Sequence, residues 1–495
     1  MSAGYDARVE PENPTAVLDQ PTAGGRVIRG SVLRTAAYSA GVGLGLVSAA
    51  LMTRYLGVDD FGKYVTVFSI VTVAAGMSDV GLANIGVREY SVREGPERDR
   101  AMRNLLGLRI ALTTFAALVA VAFAVVAGYE ALLVGGTALA AVGYGLYTAQ
   151  QTLAVPLAAS LRFGWVAALD VIRQLGMLLV VAILVVAGTG LLAFLATPIP
   201  VAVVLMIVTA WLVREAIPLT PAFHPRAWWE LLRLVLPYAA ASAVGAVYVN
   251  LVVVLTSLVS NDTETGYFAA SFRVFMVLSA IPGLLIASAF PVLARAARDD
   301  RTRLRYALQR LWDISLIVGT GAALLTAVGA GVAIEIVAGS DYAPAADALR
   351  IQALALLASF LVATWGYALL SLAAFASLLV ANAIGLVLSA AFALLLAPDH
   401  GAQGAAVATV VGESALALAL GVLLMARRRD LRVELDVLPK VAVATAVGAA
   451  AVLIPSLPEL VDLVLAGVGF ATVLVLLRAV PPEVWHALRR REMPQ

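Results

Sequence analysis

The stretch Tyr64–Arg103, YVTVFSIVTVAAGMSDVGLANIGVREYSVREGPERDRAMR, decides the fold. Its first part, 64–87, is apolar or small almost throughout, and matches the roughly 20 residues that a helix needs to cross the hydrocarbon core of a bilayer. Five arginines follow closely, Arg88, Arg93, Arg98, Arg100 and Arg103, and a new apolar run begins at 105. An apolar run, a basic loop and another apolar run describe a polytopic membrane protein whose basic loops stay on the cytoplasmic side.

Working outward, the pattern repeats along the whole chain. Apolar runs place spans near 31–53, 64–87, 105–127, 131–155, 166–187, 191–213, 234–259, 266–293, 311–337, 345–369, 372–396, 404–425, 438–455 and 459–478. Every second loop is basic, except the one after the tenth span, which has no basic residue: Arg162 follows the fourth span, Arg214, Arg226 and Arg233 the sixth, Arg295 to Arg310 the eighth, and Arg427 to Arg432 the twelfth. The opposite loops carry acids, Asp59, Asp60, Asp262, Glu264, Asp341 and Asp399, with only Arg54 and Lys63 as cations. A miscounted span would invert this alternation downstream of the error. The expected fold is therefore all-α, a polytopic membrane protein of about fourteen transmembrane helices, with both termini cytoplasmic and the chain in the cell membrane.

Composition agrees. Of 495 residues, 61% are hydrophobic and 13% charged, against about 25% charged in soluble domains; mean hydropathy is +0.93. There is no cysteine, and His224, His400 and His486 are scattered among loops and tail. No catalytic residue, metal site or cofactor is expected. No Walker sequence is present, so ATP is not expected to drive the chain directly. The polar start reads as a disordered tail with no removable signal peptide. The expected organisation is a cytoplasmic tail (1–30), a first lobe (31–213), an interfacial linker (214–233) with a membrane-surface helix at Trp228–Trp229, a second lobe (234–425), two further helices (426–478) and a second tail (479–495).

Several segments carry a resemblance. Arg54-Tyr55-Leu56-Gly57, Phe61-Gly62-Lys63-Tyr64 and Asp79-Val80-Gly81-Leu82 resemble the opening of polysaccharide-biosynthesis flippases, lipid-linked oligosaccharide carriers of the multidrug/oligosaccharidyl-lipid/polysaccharide exporter superfamily. The run from Gly266 to Arg273 is similar to the start of that family's eighth helix, Ala289-Phe290-Pro291-Val292-Leu293 to its end, and His400 to Ala406 to the loop before its twelfth. The ordered set covers about residues 30–430. One departure is the seventh span, which holds Tyr248 and Asn250 but no ionisable residue where some relatives carry a charge.

The resemblance implies a secondary transporter that moves a polyprenyl-pyrophosphate-linked oligosaccharide from the cytoplasmic to the outer leaflet for polysaccharide assembly. The implied partners are the lipid-linked oligosaccharide, membrane lipids, and a polysaccharide polymerase and glycosyltransferases; no nucleic-acid partner is expected. An internal echo, Gly62-Lys63-Tyr64 against Gly266-Tyr267, six spans apart, points to two parallel six-helix lobes in pseudo-twofold relation with a cavity between them. Two extra C-terminal helices stand outside the repeat, and the resemblance gives them the lipid tail to guide.

Charges inside the bilayer mark candidate sites. Arg273, about 10 Å inside the eighth span, is the first candidate for the pyrophosphate, because a guanidinium binds phosphate oxygens in pairs; its alternative is snorkelling to the headgroups. Arg34 would meet the substrate from the inner side, or simply anchor the first span. Arg54 would form a release site, or pair with Asp59 and Asp60. Asp79 and Glu413 are the candidates for a coupling ion; Asp79 would otherwise hold its helix end against Arg88, and Glu413 would otherwise bond a facing helix. Asp170 with Arg173, Arg310 with Asp313, and Asp347 with Arg350 are each three apart and are expected to pair as interfacial structure. Gly41 and Gly45 permit close helix packing. Pro282 is expected to interrupt the eighth span, and Pro198 with Pro200 the sixth.

Two other functions compete. A glycosyltransferase using a polyprenyl-phosphate sugar is suggested by Asp59-Asp60, but the outer loops are only about ten residues long, too short for the catalytic loop such enzymes build. A cation-coupled drug antiporter of the same superfamily is disfavoured by fourteen spans and by arginine rather than acid within them.

Overall fold

A computed structural model of the chain describes residues 23–78, 81–160, 162–299, 301–450 and 458–480. Asp79 and the side chain of Arg34 lie outside the described part, as do the N-terminal tail to residue 22 and the segment 481–495. Among the described residues all regular structure is helical. In chain order the helices are α1 (Ala23–Ser78), α2 (Leu82–Val92), α3 (Gly95–Val126), α4 (Ala131–Leu153), α5 (Val155–Ala159), α6 (Phe163–Val186), α7 (Leu191–Leu195) and α8 (Pro198–Val213). There follow α9 (Pro225–Val259), α10 (Asp262–Asp299), α11 (Arg301–Val328), α12 (Ala330–Val337), α13 (Ala345–Ser371), α14 (Phe375–Arg427), α15 (Val437–Ala449) and α16 (Glu459–Leu476).

Ten helical segments among the described residues are long and apolar enough to cross a membrane, and 243–259 and α15 are shorter apolar helices. Two of the ten, α1 and α14, are each a pair of helices joined at a single-residue corner. The corners are Gly57 (φ 74°) and Gly401 (φ 49°), in a backbone region that a Cβ disfavours. The junction of α13 and α14 has no such glycine. Ala373 takes φ 52° there, and the turn closes because Ala374 N–H reaches the Leu369 carbonyl at 2.9 Å and Ala373 N–H the Leu370 carbonyl at 3.0 Å.

The loops sort into two ends. At one end Lys63 pairs with Glu130 and Asp262, the Tyr55 hydroxyl donates to the Thr189 carbonyl, Glu264 accepts from Ala402 N–H, and Glu459 accepts from Gly331 N–H. These are the acidic loops, brought together from across the chain. At the other end Ala222 N–H donates to the Arg103 carbonyl, Asn104 bonds His224, and Arg305 pairs with Glu434. Nearby, Arg428 donates twice to Asp430 and holds that carboxyl down at about 2. The alternation of acidic and basic loops is thus a real division of the molecule into two faces.

Three expectations about helix breaks are corrected or refined. The linker contains no separate surface helix: α9 runs unbroken from Pro225, so Trp228 and Trp229 belong to its first turns. Proline suits that first turn, where its missing N–H costs nothing. The sixth span does break, between α7 and α8, with Pro198 opening the second piece. The eighth does not: α10 stays helical through Pro282.

Two lobes pack around buried apolar clusters. In the first lobe, α3 to α8 enclose Leu105, Leu153, Leu169 and Leu205; in the second, α9, α11, α13 and α14 enclose Leu308, Trp312, Trp365 and Leu420. A third cluster joins the lobes at the acidic end: Met52, Phe61 and Phe194 of the first meet Ala269, Ile334 and Tyr342 of the second. The added helices α15 and α16 lie against α11 through Leu324, Val441, Ala444 and Phe470.

Candidate functional site

The lobes meet most closely where the internal repeat was read. A Cβ on Gly62 would lie 2.6 Å from the Asp262 carbonyl oxygen, and one on Gly266 would run into the Val58 carbonyl. Only two glycines allow the backbones of α1 and α10 to touch there. Around this contact the lobes are clasped. Thr263 donates to Asp59 at 2.7 Å, Lys63 lies 3.4 Å from Asp262, and the buried Tyr342 hydroxyl donates to the Gly57 carbonyl at 2.7 Å. Burial keeps that phenol protonated by raising its pKa, so it remains a donor. Arg54 donates to the Glu335 and Ile336 carbonyls at 3.3 and 3.1 Å, at the C-terminal end of α12, where exposed carbonyls favour a cation. It bonds these carbonyls rather than Asp59 or Asp60. Arg54 therefore belongs to the clasp and not to the wall of the central cavity.

Behind the clasp lies a cavity of about 760 Å³ between the lobes. Its walls come from both arms of α1 and from α6, α9 and α10. Helix α10 starts at the acidic end, with Asn261 capping Glu264 N–H and acids in its first turn. Ala269, Arg273, Met276, Val277 and Ala280 share one face and line the cavity. Arg273 stands eleven residues into α10, about 16 Å along it from the acidic end, and its side chain lines the cavity wall. It donates to the Gly45 carbonyl at a long 3.4 Å.

Gly41 and Gly45 behave differently from one another. A Cβ at Gly41 would touch Gln174 of α6 at 3.3 Å, but nothing lies within 4 Å of a Cβ at Gly45 or Gly43. Gly45 bares its carbonyl to the cavity; it does not serve helix packing.

Arg173 of α6 also lines this cavity. The expected pair with Asp170 does not form: Asp170 is exposed, while the Arg173 guanidinium lies 5.4 Å from the centre of the Tyr147 ring. The sequence signal was available, since a cation seven residues into a span is costly without a task, but the neighbouring acid gave it an easier explanation. Ser48, Ser69, Thr72, Gln174 and Asn250 add neutral polar groups. Among the described lining residues there is no carboxylate. Arg109 lies elsewhere, 1% exposed inside the first lobe, donating to Thr152.

Glu413 occupies a second cavity, about 320 Å³, within the second lobe. Its carboxylate accepts from Tyr248 of α9 at 2.9 Å and from Ser359 of α13 at 3.1 Å. The two cavities share Val249, Phe272 and Met276 as a common wall. The other expected pairs form: Arg310 with Asp313 at 3.6 Å, and Arg350 with Asp347 at 2.6 Å. Among the described residues no three His, Asp or Glu side chains gather as a metal site.

Comparison with known proteins agrees with this architecture. No curated protein matches the chain in sequence. Among solved structures, the lipid II flippase MurJ in an inward closed conformation superposes with a TM-score of 0.73 at 12% identity, over 90% of this chain and 99% of that one. An inward-facing multidrug resistance MATE family transporter of the MOP superfamily gives 0.67 at 15% identity, over 81% and 98%. A MOP superfamily transporter from Pyrococcus furiosus, described as having a binding pocket of reverse polarity, gives 0.54 at 14%, over 86% and 99%. The family of polysaccharide biosynthesis proteins matches residues 51–347, more than half of the chain. With its two lobes, its glycine-tight clasp and a cationic cavity between them, the chain belongs to the polysaccharide biosynthesis protein family and has the all-helical transporter fold shared by MurJ and the MATE proteins.

Proposed function

We propose that the protein is a secondary transporter, not an enzyme, and that it flips a polyprenyl-pyrophosphate-linked oligosaccharide from the cytoplasmic to the outer leaflet of the cell membrane. The observation that carries this reading is the charge of the central cavity: Arg173 and Arg273 in its wall and no carboxylate among its described lining residues. Cations with no carboxylate among the described residues lining the same low-dielectric space attract an anion strongly. Two guanidiniums suit phosphate groups, and the neutral hydroxyls and amides around them suit sugar hydroxyls. The likeness to MurJ, described as a lipid II flippase, supports a lipid-linked substrate.

On this reading the chain crosses the membrane fourteen times, α1 and α14 each crossing twice, with the basic end in the cytoplasm. The clasped acidic end is then the closed outer gate, and the substrate head enters from the basic end. Release requires Gly62 and Gly266 to part and the clasp to break. Each of its hydrogen bonds contributes roughly 0.5–1.5 kcal/mol and each exposed ion pair about 0–1 kcal/mol, a strength suited to reversible opening. Glu413 is the candidate coupling group: protonation would change its bonds to α9 and α13, both of which move with the second lobe. A drug antiporter would need acid in the main cavity to hold a cation. The glycosyltransferase alternative loses its main attraction, because Asp59 is engaged by Thr263 in the clasp.

Complementation tests the proposal. In a strain lacking its lipid-linked-sugar flippase, the wild-type gene should restore polysaccharide assembly. Arg273→Ala should not, and Arg273→Lys should restore it poorly, because lysine lacks the planar fork, with all three proteins at equal levels in the membrane. Full activity of Arg273→Ala would remove the proposed site.

A further inference from the structure

Gln352 of α13 is wholly buried, and among the described residues neither its Oε1 nor its Nε2 has a hydrogen-bond partner. An amide offers two donors and two acceptor lone pairs. Burying them unpaired costs stability that an apolar side chain of the same size would not lose. Packing therefore gives no reason for a glutamine here, and the residue belongs to neither cavity wall.

Its neighbours place it in the second lobe. Ala348, four residues before it, packs among Ala402, Ala405 and Ala406 of the second arm of α14. Ser359, seven residues after it on the same face, donates to Glu413 of that arm. Both helices run inward from the acidic end, so Gln352 lies level with Ala406. One turn toward the acidic end, the Glu264 carboxylate holds Ala402 N–H. One turn inward, Thr409 lines the cavity of Glu413 and donates to the Ala405 carbonyl. Glu264, Gln352, Thr409 and Glu413 thus stand at intervals of about one turn, about 5 Å. One water making two hydrogen bonds spans roughly that distance.

We infer that Gln352 is the positioning residue of a water-mediated route by which Glu413 exchanges its proton with the acidic face. This rests on the coupling role proposed for Glu413. The amide itself carries no proton. Its oxygen accepts from one water and its NH2 donates to the next, and the proton passes along the waters from bulk solvent to a Glu413 carboxylate oxygen, which becomes O–H. Tyr248 and Ser359 bond that carboxylate and hold it in place; Tyr248 is the one other titratable group among the described residues of its cavity wall. The route opens on the face opposite the one where the substrate head enters, as exchange of a proton for substrate requires.

Proteoliposomes carrying the full chain with its acidic end outward test this. The external pH is dropped while the interior stays buffered. Time-resolved infrared then follows the carboxylic C=O band of Glu413, identified as the band that Glu413→Gln lacks. Gln352→Met, apolar and of similar length, should slow the rise of that band at least about tenfold and leave its final height unchanged. Its thermal midpoint should stay at or above that of wild type, because an unpaired buried amide is gone. A wild-type rate in Gln352→Met overturns the inference. So does a changed final height or a lowered midpoint, either of which marks a structural role. If the Glu413→Gln spectrum matches wild type, the coupling role and the route fall together, while the flippase reading still stands or falls by Arg273.

Discussion

Replacing Gly62 with alanine should drive the lobes apart at the acidic end. The new methyl carbon would stand 2.6 Å from the Asp262 carbonyl oxygen and 2.8 Å from the Gly266 nitrogen, whereas comfortable contacts lie at about 3.5–4.0 Å. The obstacles are backbone atoms of α10, so no side chain can swing aside, and relief requires a helix shift of about 1 Å. Overpacking of this kind costs about 1–3 kcal/mol. It acts only where the lobes touch, so it falls on the clasped state and spares the open one. A bias of that size changes the ratio of clasped to open molecules by about 5- to 150-fold. Spin labels on cysteines placed at Ala131 in the first lobe and Asp399 in the second, both exposed at this end, would report the change as a distance distribution; the native chain has no cysteine to interfere. Gly62→Ala should move the population toward longer distances. Distributions that superpose on wild type would refute the view that these two glycines hold a gate shut.

Three further outcomes are expected. Tyr342→Phe removes the one hydroxyl donor shared by the Gly57 and Thr53 carbonyls, at a cost of about 1–3 kcal/mol for a buried acceptor left unpaired, and should open the same gap in the spin-label assay. Single cysteines at positions 60, 262 and 400 should all react with an impermeant maleimide from outside the cell; reaction of any one only from the cytoplasm would break the proposed topology. Glu413→Gln, nearly isosteric but unable to change charge, should abolish the dependence of transport on a proton gradient while binding of substrate persists; a wild-type gradient response would remove Glu413 from coupling.

Much of the architecture was legible because the bilayer imposes it. Helix length is fixed by hydrocarbon thickness and loop charge by sidedness, so the apolar runs and the arginine alternation anticipated which loops share a face. Gly57 and Gly401 were visible as loop residues, but not as one-residue corners. The rotation of each helix was much harder to read. In a soluble protein a polar face marks water; in a membrane, lipid and protein interior are equally apolar, so sequence carries little sign of which face looks inward. Asp170 and Arg173 show the cost: three apart, they invite pairing, yet one is exposed and the other faces the cavity. Ala373 shows another. It adopts a positive φ without being glycine, so the turn between α13 and α14 left no mark in the sequence. The Gly62 and Gly266 echo was readable as a repeat, but their meeting in space depends on the approach of two helices remote in the chain.

Translocation in proteoliposomes tests the central claim most directly. A fluorescent polyprenyl-diphosphate sugar is followed by quenching from one side of the vesicle, with wild type and Arg273→Ala reconstituted at equal density. Wild type should make the lipid on the far leaflet accessible much faster than empty vesicles, and Arg273→Ala should return the rate to that of empty vesicles. A wild-type rate no greater than the protein-free one, or an Arg273→Ala rate equal to wild type, would contradict transport through a cationic chamber.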